Sequence, residues 1–192
     1  MLQPKKQQEK SVQFVGKYFR KSAKDIIVVF MQKKNKFFFF NLLIVITIFL
    51  IDRISKIYVI NLFDALNDQQ IFIAPFLNLY LIWNSGIAFG LLSFDSNEIY
   101  NFITFFIAII NIIIIYIFIK IDDVRRYFFS MILGGSLGNL FDRLVYNAVP
   151  DFIDFHIGNF HWFIFNMADI FITIGVICLI LHEFIFKIKR DV

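Results

Sequence analysis

The chain has 192 residues and a mass of 22.8 kDa; 59% of its positions are hydrophobic, 18% are charged, and the mean hydropathy is +0.71. Soluble domains average about 45–50% apolar and about 25% charged residues, so a soluble enzyme, a disordered tail and a secreted disulfide scaffold are all disfavoured, and the single cysteine, Cys178, allows no intramolecular disulfide. The composition calls for a bilayer, and the net charge of +4 has to be read from where the charges stand.

Residues 1–36 carry ten of the 19 basic residues against only Glu9 and Asp25. They read as a basic cytoplasmic extension held near anionic lipid, where each charge contributes about 1 kcal/mol. The apolar stretch IIVVFM is too short for the core of a signal peptide. An alternative start at Met31 would leave QKKNK and the following apolar run as the membrane entry signal.

A helical span needs about 20 mostly apolar residues. The pattern predicts four of them, at about 37–61, 99–119, 127–146 and 162–186, followed by a cytoplasmic tail at 187–192. The expected fold is therefore an all-α membrane protein with four transmembrane helices over 37–186 and a small β-containing outer segment. Alternation at 76–82 suits a short strand, and Trp83 and Trp162 suit a membrane interface. Lys33, Lys34 and Lys36 precede the first span; Lys120, Arg125 and Arg126 join the second to the third; Lys187, Lys189 and Arg190 follow the fourth. By the positive-inside rule both termini are cytoplasmic, and loops 62–98 and 147–161 face outward. The positive charge is then a topology signal, and nucleic-acid binding is not needed to explain it.

Six ionisable residues lie inside these spans: Asp52, Arg53, Lys56, Asp142, Arg143 and Asp169. Each costs about 2.5–3.5 kcal/mol at the bilayer centre on insertion scales, so they should pair, face the bundle or line a wet cavity. Asp52 and Asp142 each stand 15 residues into a span, about 22 Å along a hydrocarbon core of about 30 Å. Asp169 lies seven residues past Trp162, roughly 10 Å from the outer face. All three carboxylates are thus expected in the outer third. Asp52 and Lys56 have the favourable i, i+4 order, Asp142 is expected to pair with Arg143, and Arg143 to reach back to Asn139. Gly135, Asn139 and Asp142 share one helical face, and Asn166, Asp169 and Thr173 another. Gly134 and Gly138 form a GxxxG, which reads as close helix packing.

Asp151, in VPDF, follows Asp142 by nine residues. A loop aspartate after proline is ordinarily a turn residue, but a short 147–161 connection can fold it over Asp169. Two carboxylates within hydrogen-bond reach share a proton near neutral pH. One can then abstract a proton from water attacking a peptide carbonyl, while the other polarises the carbonyl and protonates the leaving amine.

The strings DRISK (52–56), NSGIAFG (84–90), GNLFDR (138–143), VPDF (149–152) and FNMAD (165–169) occur in this order over 118 residues. Together they resemble the lipoprotein signal peptidases (signal peptidase II), polytopic aspartyl proteases of the bacterial inner membrane. The resemblance implies that Asp151 and Asp169 are the catalytic dyad. It further implies that Asp52, Lys56, Asn84, Gly86, Asn139, Asp142, Arg143, Asn166 and Ala168 shape the site or contact substrate. The implied substrate is a diacylglyceryl-modified prolipoprotein cut N-terminal to its lipidated cysteine. No metal or other cofactor is implied, and globomycin-type cyclic peptides are implied as inhibitors. The 36-residue extension departs from the family pattern. A monomer surrounded by membrane lipid is expected.

Two rival classes are weaker. Asp151, Asp154, His156 and His161 offer metal-ligand chemistry in one outer loop, without HExxH or a cysteine ligand. A proton or solute transporter would use intramembrane carboxylates as a relay, but Asp151 in an outer loop has no place in a midplane relay.

Overall fold

The computed structural model describes residues 3–66, 70–86 and 97–188, with side chains over 34–66, 70–86 and 98–186. The side chains of the basic extension before residue 34, residues 87–90 of the NSGIAFG string and the tail at 189–192 lie outside the described residues. The chain divides into two units, residues 1–40 and 41–192. The first belongs to the amino-terminal part of α1 (Gln3–Leu66); the second holds the rest of that helix, three further helices and a sheet.

In chain order the elements after α1 are β1 (Ile71–Ala74), β2 (Leu77–Asn84), α2 (Asn97–Lys120), α3 (Arg125–Tyr146), β3 (Val149–Ile157), β4 (Phe160–Phe165) and α4 (Met167–Ile188). Helices Lys34–Leu66, Glu98–Lys120 and Met167–Phe186 are long and apolar enough to cross a membrane, so this is a multi-pass membrane protein. Four such helices are expected from the sequence; among the described residues three qualify by length and composition. The 22 residues of α3 reach about 33 Å, but it carries Arg125, Arg126, Asp142, Arg143 and three glycines in place of hydrocarbon.

The expected fourth helix at 162–186 needs correction. Trp162 to Phe165 are part of β4, and the helix begins at Met167. A short apolar aromatic run fits a strand as readily as a helix. Asp169 therefore stands in the first turn of α4, and not two turns into a span. The 147–161 connection, expected as a loop, is a β-hairpin.

Apolar side chains face outward and polar ones inward. Only 28%, 17% and 11% of the three spanning segments is buried within the protein, and Phe105, Ile112 and Tyr116 are exposed on α2. The interior instead holds Asn41, Asp52, Lys56, Ser130 and Asp142, all nearly inaccessible. Hydrocarbon tails give helices no hydrophobic reason to associate, so small residues and polar bonds hold such bundles together.

Helix α3 is the centre of this arrangement, packing on both α2 and α4. Its glycines let backbones approach. A Cβ on Gly134 would lie 2.9 Å from the Val45 carbonyl oxygen of α1, and one on Gly135 would lie 2.6 Å from that of Ala168 of α4. A Cβ on Gly138 would lie 3.0 Å from Cγ of Asp52 and closer still to its Oδ2. The GxxxG pair thus packs against α1, as its spacing suggests. Replacing Gly138 with Ala forces the Asp52 carboxylate to move, and overpacking of this kind costs about 1–3 kcal/mol. A lowered thermal midpoint of the detergent-purified variant is the expected result, and an unchanged midpoint would show that the carboxylate has room to yield.

The helix ends at Asn147, whose left-handed φ of 54° turns the chain into β3. The four strands form one antiparallel sheet in the order β1-β2-β3-β4. The sheet is anchored where Val59 and Phe63 of α1 meet Phe152 of β3, flanked by Ile71, Leu79 and Met167. This cluster holds the first residues of β3 against the end of the bundle.

Candidate active site

Four segments converge on the site: the last quarter of α1, the end of α3, the sheet near Asn84 and Asp151, and the first turn of α4. The deepest layer is ionic. Lys56, 1% exposed, donates to Asp52 at 2.9 Å, to Asn139 Oδ1 at 2.8 Å and to Asp142 Oδ2 at 2.7 Å, which uses all three of its N–H groups. Arg53 pairs with Asp52 at 3.1 Å and also with Asp142, and its guanidinium lies over the Phe141 ring. Two acids and two bases thus cancel in a water-poor interior.

The pairing expected between Asp142 and Arg143 is not the one formed. Asp142 faces α1, where Lys56 and Arg53 meet it. Arg143, one residue on and so about 100° further round the helix, donates to the Gly86 carbonyl oxygen and lies over the Tyr100 ring. The expected reach back to Asn139 is replaced by that bond, because Asn139 is engaged by Lys56 and Asp169.

Asp52 also acts across helices: its Oδ1 accepts the Ala168 N–H at 3.1 Å, satisfying one of the donors that a helix start leaves open. Asn166 and Asp169 close the same helix end reciprocally. The Asp169 N–H donates to Asn166 Oδ1 and the Asn166 N–H donates to Asp169 Oδ2, each at 3.2 Å. This is the geometry of a capping box, and it explains the spacing of Asn166 and Asp169 in FNMAD.

Three asparagines then connect the parts. Asn139 accepts from Lys56, so its amide nitrogen is turned to Asp169 Oδ1 at 2.8 Å. Asn166 accepts from the Asp169 N–H, so its amide nitrogen is turned to Asp151 Oδ1 at 2.5 Å. Asn84 accepts the Gly86 N–H at 2.8 Å, an Asx turn, so its amide nitrogen is turned to Asp151 Oδ2 at 2.8 Å. In each case a pure donor on one side decides which way the amide points.

Asp151 and Asp169 line one cleft of about 240 Å³ with Asn84, Asn139, Arg143 and Asn166. Asp151 is 3% exposed. Burial, then the facing Asp169 carboxylate, pushes its pKa up to about 6 against the holding effect of Asn84, Asn166 and Lys56. Six of the eleven sequence-derived site residues, Asn84, Asn139, Arg143, Asp151, Asn166 and Asp169, line this cleft; Asp52, Lys56 and Asp142 form the ionic layer joined to it through Asn139, Gly86 bonds Asn84 and Arg143, and Ala168 bonds Asp52 from the turn that carries Asp169. Reasoning from sequence left out Ser136 and the apolar wall of Ile107, Ile110 and Ile172. Ser136 lies three residues before Asn139, so helical phase alone places it on the same face. For Tyr100, whose hydroxyl donates to the Arg143 carbonyl oxygen at 3.1 Å, the sequence carries no signal.

Residues 44–185 match the family model described as signal peptidase (SPase) II. The chain belongs to the signal peptidase II family. Among curated proteins, signal peptidase II relatives include the lipoprotein signal peptidase of Pelagibacter ubique (strain HTCC1062), 55% identical over 147 residues, covering 77% of this chain and 89% of that protein. The lipoprotein signal peptidase of Anaplasma phagocytophilum (strain HZ) is 42% identical over 139 residues, covering 71% and 86%. A bacterial membrane enzyme solved by the in meso method superposes with a TM-score of 0.64 at 31% identity, over 79% of this chain and 91% of that one. A second such structure gives 0.60 at 33% identity, over 74% and 91%. Signal peptidase II enzymes are proteases that remove signal peptides from prolipoproteins, and lipoprotein processing is the activity of this chain.

Proposed function

We propose that this chain is an aspartyl endopeptidase of the bacterial inner membrane that cuts diacylglyceryl-modified prolipoproteins N-terminal to the lipidated cysteine, with Asp151 and Asp169 as the catalytic dyad. The observation that carries the reading is the Asn166 bridge: one amide bonds to the backbone of Asp169 and to the carboxylate of Asp151, with both acids on one cleft. We assign the charge to Asp169, which stands in the first turn of α4 where negative charge is favoured, and the catalytic proton to Asp151, which carries it on the acid side of about pH 6.

Asp169 takes a proton from water as the oxygen attacks the scissile carbonyl carbon. Asp151 donates a hydrogen bond to the carbonyl oxygen as negative charge develops there. When the C–N bond breaks, the Asp151 proton goes to the leaving amine and the product carries a carboxyl group. The proton on Asp169 then returns to Asp151 through water in the cleft, restoring the resting state. Asn139 and Asn84 hold the two carboxylates in place. Arg143 with Gly86 and the isoleucine wall of α2 suit a peptide whose cysteine bears acyl chains. In this reading α3 is the fourth crossing, both termini are cytoplasmic, and the sheet lies on the outer side. The enzyme works as a monomer in lipid, and globomycin-type peptides fill the same cleft.

The direct test offers purified enzyme in detergent a prolipoprotein with and without its diacylglyceryl group. Only the modified form is expected to be cut, at one bond; equal cleavage of both would overturn the substrate assignment. The pH profile tests the proton assignment. Asp151 is protonated below about 6 and ionised above, so kcat/KM should fall tenfold per pH unit on the alkaline side of a midpoint near 6. An apolar substrate covering the carboxyl moves the corresponding limb of kcat upward. A kcat/KM that stays level from pH 5 to 9 removes Asp151 as the acid.

A further inference from the structure

One cluster of ionisable side chains has no part in this chemistry. Asp154 stands three residues beyond Asp151 on β3, about 10 Å at the rise of a strand. Strand pairing builds the cluster: Asn78 of β2 is opposite Asp154, and His156 of β3 is opposite His161 of β4. Directly paired residues point to the same face of a sheet. One ligand-capable atom from each of Asp154, His156 and His161 lies within 4.8 Å of the others. Asp154 is 4% exposed; its two oxygens lie 2.9 and 3.0 Å from His161 Nδ1, and Oδ2 accepts from Asn78 Nδ2 at 3.2 Å. The two imidazoles stack with centroids 4.9 Å apart and planes inclined by 20°. The hairpin around them is otherwise apolar, with Phe155, Ile157, Phe160 and Trp162 beside the histidines.

We propose that Asp154, His156 and His161 form a site for a divalent transition-metal cation, Zn²⁺ by ligand chemistry, on the sheet and separate from the dyad. Two imidazoles and a carboxylate are a donor set that zinc accepts with water in the fourth position, whereas magnesium and calcium ask for oxygen ligands throughout. Tetrahedral bonds of about 2.0–2.2 Å set ligand atoms roughly 3.3–3.5 Å apart, so separations of up to 4.8 Å must close by about 1 Å, while the Asp154–His161 pair at 2.9 Å opens slightly. The His161 side chain, 51% exposed, is free to make that move. Asn78 supplies the hydrogen bond that a ligating carboxylate ordinarily receives from its surroundings.

The ion would tie β3 to β4. The first strand carries Asp151 and the second runs directly into Asn166 and Asp169. Its role is therefore to stiffen the hairpin that holds both carboxylates in register, with no part in the bond-breaking steps.

The test titrates metal-stripped, full-length protein in detergent with Zn²⁺ and, as a spectroscopic probe, Co²⁺. The expected results are one equivalent bound, a visible Co²⁺ band and a raised thermal midpoint. His156→Ala and His161→Ala should each weaken binding at least tenfold and remove the thermal shift, and Asn78→Ala should weaken it about tenfold. Asp169→Asn should leave the titration unchanged. The proposal is overturned by absence of stoichiometric binding, by binding indifferent to both histidine variants, or by binding that Asp169→Asn removes.

Discussion

Asp169→Asn and Asp151→Asn each lower cleavage by about 10²–10⁴-fold, the range associated with loss of a positioned acid or base. Asparagine keeps the volume of aspartate but holds no proton at neutral pH and accepts none from water. The two variants differ in what else they disturb. At 151 both carboxylate oxygens accept amide N–H groups, from Asn84 and Asn166, so an introduced amide sets one donor against another. At 169 the new amide meets the Asn139 amide nitrogen or loses the capping bond to the Asn166 N–H. Modest destabilisation therefore accompanies both, and the decisive measurement pairs turnover with a thermal midpoint and substrate binding. Folded, substrate-binding and inactive protein is the expected outcome. Full turnover by either variant refutes the dyad.

Lys56→Met has the largest effect expected on the fold. Breaking a buried pair by removing one partner costs about 3–5 kcal/mol, and here one ammonium serves two carboxylates and an amide. Without it Arg53 alone faces Asp52 and Asp142, leaving a buried net negative charge. Asn139 also loses the donor that fixes its direction, so the bond to Asp169 weakens with the bundle. Loss of monodisperse protein, or a midpoint too low to measure, is expected. The double variant Lys56→Met with Asp142→Asn should recover part of the loss, because it restores neutrality; a double variant no better than the single one would show that shape, and not charge, governs this layer. Asp142→Asn alone keeps the Asp52–Lys56 pair and should retain some cleavage at reduced stability.

The spanning segments were legible because hydrocarbon composition over 20 residues leaves few alternatives, and α2 matches its expected limits within two residues at each end. Helix α3 was legible as a helix, although its buried Arg126, Asp142 and Arg143 dilute the signal used to count crossings. The hairpin was harder. Strands β3 and β4 are rich in aromatics, and the partners of β3 on β2 are 65 to 78 residues away, so local periodicity could not distinguish loop, strand and helix start. Asn166 followed three residues later by Asp169 is a capping pattern that marks where α4 begins, and the expected start at 162 makes no use of it. The candidate site residues come from motif resemblance and the expense of buried charge. Their partners were less accessible: Asp142 and Arg143 are neighbours in sequence, yet the helix turns them to different sides.

The three asparagines have a consequence for how the enzyme keeps its protons. An amide can hand on electrostatic influence from Lys56 toward the carboxylates, but it has no hydroxyl to receive a proton on one side and release one on the other. The path from the buried ions to Asp169 through Asn139, and from Asp169 to Asp151 through Asn166, is thus a connection for charge and an insulator for protons. With Asp151 and Asp169 as the proposed dyad, exchange of its proton would be confined to the open side of the cleft, where water enters and the peptide leaves. On that proposal a bound substrate would seal the dyad with its single proton, isolated from the ionic interior below.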